Sequence, residues 1–219
     1  MIQEKHIETV RTARYYLHGE IGPQVTDVWF ACHGYGQLGA EFVKEFDCIE
    51  DPSRLIVVPE STSRFYVTAS TGFHGLDTKV GATWMTREDR ETDIADYVSY
   101  LDTLYQSVIS KLASPRVTVL GFSQGGATAI RWLTRGVSRA DRLIMWGSLM
   151  PQDADLEQAA EYFRTTELVI VYGLRDQYAG NGVIENFRKL LDDSRIPHRV
   201  VTFDGGHRMD RDTLRGLAS

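Results

Sequence analysis

The sequence predicts an α/β fold, a mostly parallel central sheet with helices on both faces, and two observations carry that reading. Short runs rich in β-branched and aromatic residues recur at Arg11–Leu17, Val25–Cys32, Leu55–Val58, Val117–Leu120, Leu143–Trp146, Leu168–Tyr172 and Arg199–Phe203. The later runs are nearly continuous in hydrophobicity, as strands buried on both faces of a parallel sheet must be, and they alternate with helical patterns.

The clearest helix spans Glu91–Leu112, where Ile94, Val98, Leu101, Leu104, Tyr105, Val108, Ile109 and Leu112 recur at three- and four-residue spacing and Pro115 marks the limit. Shorter helices are expected over Glu41–Ile49, Gln124–Arg135, Leu156–Phe163, Ile184–Asp192 and after His207. The segment Glu60–Arg90 shows no clear periodicity, and an irregular stretch of that length in a compact domain usually carries function. No repeat, low-complexity tract or linker interrupts the chain, so residues 1–219 read as one domain.

Composition narrows the function. With 219 residues, 42% hydrophobic and 25% charged, the chain can bury a substantial core. A net charge of −6 argues against an electrostatic footprint for nucleic acid or an anionic membrane surface. Cys32 and Cys48 form neither a disulfide framework nor a metal-ligand pattern. The N-terminus lacks a secretory pattern and no apolar run is long enough to span a bilayer, so a cytoplasmic protein without integral membrane association is expected. Nothing in the sequence indicates an oligomeric state.

The stretch Arg116–Leu133 reads as strand, sharp turn and helix, with Ser123 at the turn in Gly121-Phe122-Ser123-Gln124-Gly125. Glycines on either side let strand and helix approach closely around a strained serine, projecting its hydroxyl clear of the sheet. The helix start aims N–H groups at developing negative charge, which makes the Gln124 N–H the natural first oxyanion donor. A merely helix-capping serine in a glycine-rich turn is the bland alternative.

A serine hydroxyl needs a histidine base, and the base needs an acid to fix its tautomer. In α/β-hydrolases, whose nucleophile sits on such an elbow, the order is serine, acid, histidine. Only His198 and His207 follow Ser123. His198 opens a strand, whereas His207 follows the strand Arg199–Phe203 in Asp204-Gly205-Gly206-His207, at the carboxyl edge where ligands bind in open sheets. Asp176, just past Leu168–Tyr172, occupies the corresponding place for the acid. Asp204 is its nearest competitor but stands so close to His207 that shaping the turn suits it better; Asp153 and Asp193 lie in loop or helical contexts.

After the second strand comes His33-Gly34-Tyr35-Gly36-Gln37-Leu38-Gly39, suited to supplying a second oxyanion donor from the Tyr35 N–H. Residues 34–39 also match the dinucleotide fingerprint G-x-G-x-x-G, with Glu60 as a ribose-binding acid. The short helix that follows, and the unexplained Ser123, Asp176 and His207, count against that second reading.

Together, His33-Gly34-Tyr35-Gly36, Gly121-Phe122-Ser123-Gln124-Gly125-Gly126, Tyr172-Gly173-Leu174-Arg175-Asp176 and Gly206-His207 resemble the phospholipase/carboxylesterase family, which includes acyl-protein thioesterases. The resemblance implies a compact α/β-hydrolase without a separate cap domain, acting on small-molecule carboxylic esters or thioesters with no cofactor and no metal. It assigns Ser123 as nucleophile, Asp176 as acid, His207 as base, and the N–H groups of Tyr35 and Gln124 as oxyanion donors.

A carboxylesterase is the favoured activity, with an acyl thioesterase or lysophospholipase as alternatives on the same fold. A dinucleotide-dependent oxidoreductase and a catalytically silent binding module remain the readings of other classes. Phe65, Tyr66, Phe73, Trp84, Met85, Phe122, Met150 and Tyr178 are candidate pocket walls, each equally explicable as core. Arg64 and Arg87 suit an acidic substrate group, although solvated surface positions explain them as well. Relative to the family, the stretch from Phe65 to Arg90 is polar and charged as well as aromatic, which leaves acyl preference open.

Overall fold

Apolar strands joined by short crossovers build one twisted sheet. The computed structural model describes residues 1–67, 75, 77–180 and 182–219. Its main sheet has the order β1-β3-β2-β6-β7-β8-β9. The strands are β1 (Tyr15–His18), β2 (Asp27–Cys32), β3 (Arg54–Pro59), β6 (Arg116–Phe122), β7 (Arg142–Trp146), β8 (Glu167–Gly173) and β9 (Arg199–Phe203). Every neighbouring pair is parallel except β1 with β3. The expected strand Arg11–Leu17 shortens to β1, which sits at the sheet edge with alternate residues exposed.

The period-two alternation of strand side chains divides the interior into two cores. Val28, Phe30 and Cys32 of β2 join Val117, Val119, Leu143, Met145, Leu168 and Ile170 on one face. They are covered there by α2 (Arg90–Ile109), α3 (Gln124–Arg135), α4 (Leu156–Tyr162) and α5 (Val183–Asp193). Trp29 and Ala31 join Ile144, Trp146, Val169 and Val171 on the other face, under Phe42, Phe46, Leu214 and Leu217. That second cover comes from α1 (Gly39–Phe42), a 3-10 helix over Val43–Ile49 that replaces the α-helix expected there, and α6 (Arg211–Ala218).

The described residues of Glu60–Arg90 are more ordered than the sequence suggested. They contain an antiparallel hairpin of β4 (Ser63–Tyr66) and β5 (Val80–Thr83), with Ser63 opposite Thr83 and Tyr66 opposite Val80. The four-residue strands are too short for a periodic pattern to emerge. The hairpin packs on the loop after β2, where the Gly36 N–H donates to Ala82 O (2.8 Å) and the Ala82 N–H to Gln37 O (3.3 Å). Among the described residues no separate domain covers the carboxyl edge of the sheet.

Candidate active site

The loops at the carboxyl ends of β2, β6, β7, β8 and β9 converge on Ser123. This serine is the residue between β6 and α3, with φ 53° and ψ −119°. Such a backbone costs a non-glycine residue roughly 1–3 kcal/mol and persists only where its surroundings enforce it. Enforcement is visible in the neighbouring contacts. The Ser123 N–H donates to Trp146 O (2.8 Å) and the Gly126 N–H to Ser123 O (3.0 Å). A Cβ at Gly121 would collide with the Gly125 carbonyl, and one at Gly125 with the carbonyl of Cys32, so the strand-helix approach requires both glycines.

Asp176 follows β8 and is buried, with 6% of its surface exposed. Its Oδ2 accepts from His207 Nδ1 at 2.7 Å and its Oδ1 from the Tyr178 N–H at 2.8 Å. A carboxylate only accepts, so the proton of neutral His207 sits on Nδ1 and leaves Nε2 unprotonated. The His207 ring is held between Phe122 and Tyr178, with centroids 5.0 and 4.8 Å away. The structure thus brings Asp176 and His207 together. Ser123 Oγ carries no hydrogen bond among the described residues, and catalytic serine–histidine bonds often form fully only once substrate is bound.

The competing candidates lie elsewhere. Asp204 is exposed and ion-pairs with Arg175, not with His207. His198 precedes β9, at the opposite edge of the sheet, and its Nδ1 lies 3.0 Å from Ile196 O. Asp153 forms ion pairs with Arg90, Arg131 and Arg135. The bond from Arg131 is the main influence and outweighs burial, holding the Asp153 carboxyl well below the usual range.

Opposite the elbow, four N–H groups of the loop 33–39 have partners among the described residues, those of Gly34, Gly36, Gln37 and Gly39. The Gly34 N–H donates to Gln37 Oε1 (2.7 Å), the Gln37 N–H to Gly34 O (3.2 Å) and the Gly39 N–H to Glu60 Oε2 (2.9 Å). No hydrogen bond engages the N–H groups of Tyr35 and Leu38 among the described residues. Glu60 is fully buried, and although burial pushes its carboxyl up, bonds from Arg14, Arg64 and the Gly39 N–H hold it below the usual range. The dinucleotide reading fails on these contacts: its ribose acid is enclosed, and most N–H groups that would cradle a pyrophosphate already have partners. The Gln124 side chain is also fixed, its Nε2 donating to Thr83 Oγ1 and Met85 O at 3.0 Å each while Oε1 accepts from the Trp84 N–H (3.1 Å).

A cavity of about 280 Å³ opens beside Ser123, lined by Ala127, Gly147, Ser148, Leu149, Tyr172, Asp176, Tyr178, Ala179 and Ile184. Larger clefts, of 840 and 600 Å³, contain none of Ser123, Asp176 or His207. Of the pocket walls expected from sequence, Tyr178 lines this cavity. Trp84 and Met150 are core residues instead, at 2% and 8% exposure, and Phe122 is buried with its ring against His207. Met85 has its sulfur 3.6 Å from Arg131 Nη1. Phe65 packs against Tyr35 with the rings tilted and their centroids 5.1 Å apart, Tyr66 is half exposed on the hairpin, and Phe73 falls outside the described residues. Arg64 is committed to Glu60, and Arg87 is exposed. Leu149 and Ile184 were missed from sequence; the position of 147–149 just past a strand's carboxyl end was the available signal.

Among the described residues, the one group of potential metal ligands is Glu4, His6 and Asp89, all exposed and none lining the cavity. No helix among these residues is long and apolar enough to cross a membrane.

A left-handed serine between a buried strand and a glycine-lined helix, with an aspartate and a histidine on later strand ends of a mostly parallel sheet, defines an α/β-hydrolase. Residues 23–219 match the phospholipase/carboxylesterase family. The chain belongs to that family and is a hydrolase of the esterase or thioesterase kind. Solved structures agree on the fold. Acyl-protein thioesterase 2 of Zea mays superposes with a TM-score of 0.69 at 15% identity, covering 94% of this chain and 96% of that one. Esterase PE8 gives 0.68 at 19% identity over 95% and 97%, and the Bacillus cereus carboxylesterase 0.64 at 12% over 94% and 92%. No curated protein matches the chain by sequence.

Proposed function

We propose that the protein is a serine carboxylesterase in which Ser123 is the nucleophile, His207 the general base and Asp176 the acid that orients it. The observation carrying this reading is the 2.7 Å bond from His207 Nδ1 to a buried carboxylate, on the loops beside a serine held at φ 53°. His207 Nε2 takes the proton of Ser123 Oγ as oxygen attacks the ester carbonyl carbon, and Asp176 stabilises the imidazolium. The tetrahedral oxyanion accepts from the N–H groups of Tyr35 and Gln124. Collapse expels the alcohol, protonated by His207. Water, deprotonated by the same nitrogen, then cleaves the acyl-enzyme to the carboxylic acid and restores Ser123.

A thioester would follow the same steps with a thiol as leaving group, and a lysophospholipid with a glycerophospho-alcohol. Among these three, the small apolar cavity beside Ser123 favours compact esters. The reaction uses no cofactor, and a cytoplasmic setting accords with it. Labelling with a fluorophosphonate tests the mechanism: modification at Ser123 that disappears in Ser123→Ala is expected. A folded wild-type protein that neither labels nor hydrolyses p-nitrophenyl acetate is instead a silent binding module.

A further inference from the structure

Two consecutive residues at the end of β3 fasten both ends of the glycine loop. At its start, His33 is buried and stacked on Trp84, centroids 5.0 Å apart. Its Nε2 accepts from the Ser61 N–H (3.1 Å), so the ring proton lies on Nδ1 and is donated to Gly34 O (2.8 Å). At the loop's end, the neighbouring Glu60 reaches the Gly39 N–H through Oε2 (2.9 Å). Its Oε1 accepts from Arg14 Nε (2.6 Å) and Arg64 Nε (2.7 Å), so the carboxylate is paired with two guanidinium groups although none of its side chain is exposed.

Burying a carboxylate at this depth is costly unless it is fully partnered, and the bonds to Arg14, Arg64 and Gly39 meet that requirement. They also tie three segments to one point: the chain before β1, the start of β4, and the end of the glycine loop. The middle of the loop is held by Ala82 of β5. Inside this frame the N–H groups of Tyr35 and Leu38 have no partner among the described residues, and Tyr35 is the one that the resemblance assigns as an oxyanion donor. An oxyanion donor is effective when it is fixed before the reaction begins and does not have to reorganise as charge develops.

We propose that Glu60 is a positioning residue for the oxyanion loop, its buried carboxylate holding the loop in the one arrangement that leaves the Tyr35 N–H free to meet the oxyanion. The inference rests on the serine-esterase reading above. Glu60 touches no reacting atom; it acts through the Gly39 N–H and through Arg64 on the hairpin that braces the loop. Replacing it with an isosteric amide places an NH2 group among donors and removes the charge that holds both guanidinium groups.

The test is Glu60→Gln, assayed with p-nitrophenyl acetate and with phenylboronic acid, whose tetrahedral adduct on Ser123 places an oxygen where the oxyanion forms. The expected result is a tenfold or greater fall in kcat, KM within about twofold, and boronate affinity weakened in proportion to kcat. A purely structural role would lower the melting temperature without that proportion. Wild-type kcat in the variant, or lost kcat with unchanged boronate affinity, overturns the proposal. Amide exchange in the wild-type protein provides a check that does not depend on the variant folding. Gly39 should exchange slowly throughout, whereas Tyr35 should exchange fast until boronate binds. A Tyr35 amide already protected in the free protein, or unprotected in the complex, also overturns it. Wild-type protein that neither labels with fluorophosphonate nor hydrolyses the ester refutes the esterase reading itself, a distinguishable failure.

Discussion

Gly147 lies directly beneath the imidazole of His207, and Gly147→Ala should damage activity more than stability. Its φ is +57°, a region that costs an L-residue roughly 1–2 kcal/mol. An added Cβ would stand 2.9 Å from His207 Cε1 and 3.1 Å from Nδ1, against an ordinary contact of about 3.5–4.0 Å. The ring must therefore retreat by about half an ångström or more. It has little room to do so. Asp176 holds it at 2.7 Å, and Phe122 and Tyr178 flank it with centroids 5.0 and 4.8 Å away. Misplacing a catalytic group by about 1 Å costs on the order of a hundredfold in rate, so a fall of about 10–100-fold in kcat/KM is expected. For a chain of this size the backbone cost corresponds to about 2–8 °C in melting temperature. Steady-state hydrolysis of p-nitrophenyl acetate well below the melting transition, alongside thermal melts, separates the two effects. A folded Gly147→Ala variant with wild-type kcat/KM would refute the placement of His207 as the base.

Other expectations follow from the same contacts. Asp176→Asn preserves the shape but leaves His207 free to take the wrong tautomer, and kcat should drop on the order of 10⁴-fold with folding retained; activity above a tenth of wild type contradicts the assignment. Gly216, in α6 with open space where an alanine methyl would stand, should tolerate that substitution, raising stability by about 0.5 kcal/mol without altering turnover. Asp153 titrates below its ordinary value of 3.8 in the folded protein, so the unfolded chain binds its proton first as pH falls. Its stabilisation is then complete above that value and is lost below about pH 4; urea midpoints measured from pH 6 to 3 should fall more steeply in wild type than in Asp153→Asn.

The parts of the molecule most legible in the sequence were those with strong local chemistry. Buried parallel strands leave continuous apolar runs, so β6 to β8 were readable within a residue or two. The elbow was readable because Gly121, Ser123 and Gly125 must stand at fixed spacing for strand and helix to approach. The meeting of Asp176 and His207 was foreseeable because both follow strands at the carboxyl edge of the sheet. The hairpin β4–β5 was not, because its strands are held by partners distant in sequence: Ser63 pairs with Thr83, and Ala82 with the glycine loop. Nor could the sequence separate a wall residue from a core residue among aromatics. Trp84 is buried because its indole N–H reaches His33 O at 2.9 Å, a contact no spacing rule encodes.

That misreading relocates where specificity resides. The described part of Glu60–Arg90 braces the elbow and glycine loop from behind: Thr83, Trp84 and Met85 grip Gln124, and Arg64 grips Glu60. Among the described residues, the wall beside Ser123 comes instead from the loops after β7 and β8 and from the start of α5, through Leu149, Tyr178 and Ile184. Substitutions on the two sides should therefore act differently on acyl length. Ile184, at 4% exposure, closes the cavity where α5 begins, and Ile184→Ala enlarges the space available to an acyl chain. Removing a buried isoleucine side chain costs about 2–5 kcal/mol of stability, so the assay belongs at low temperature. With p-nitrophenyl esters of increasing length, the preferred chain should lengthen in Ile184→Ala and stay unchanged in Tyr66→Ala, whose side chain is half exposed on the hairpin. A shift in Tyr66→Ala with none in Ile184→Ala would return specificity to the hairpin and overturn this assignment of the wall.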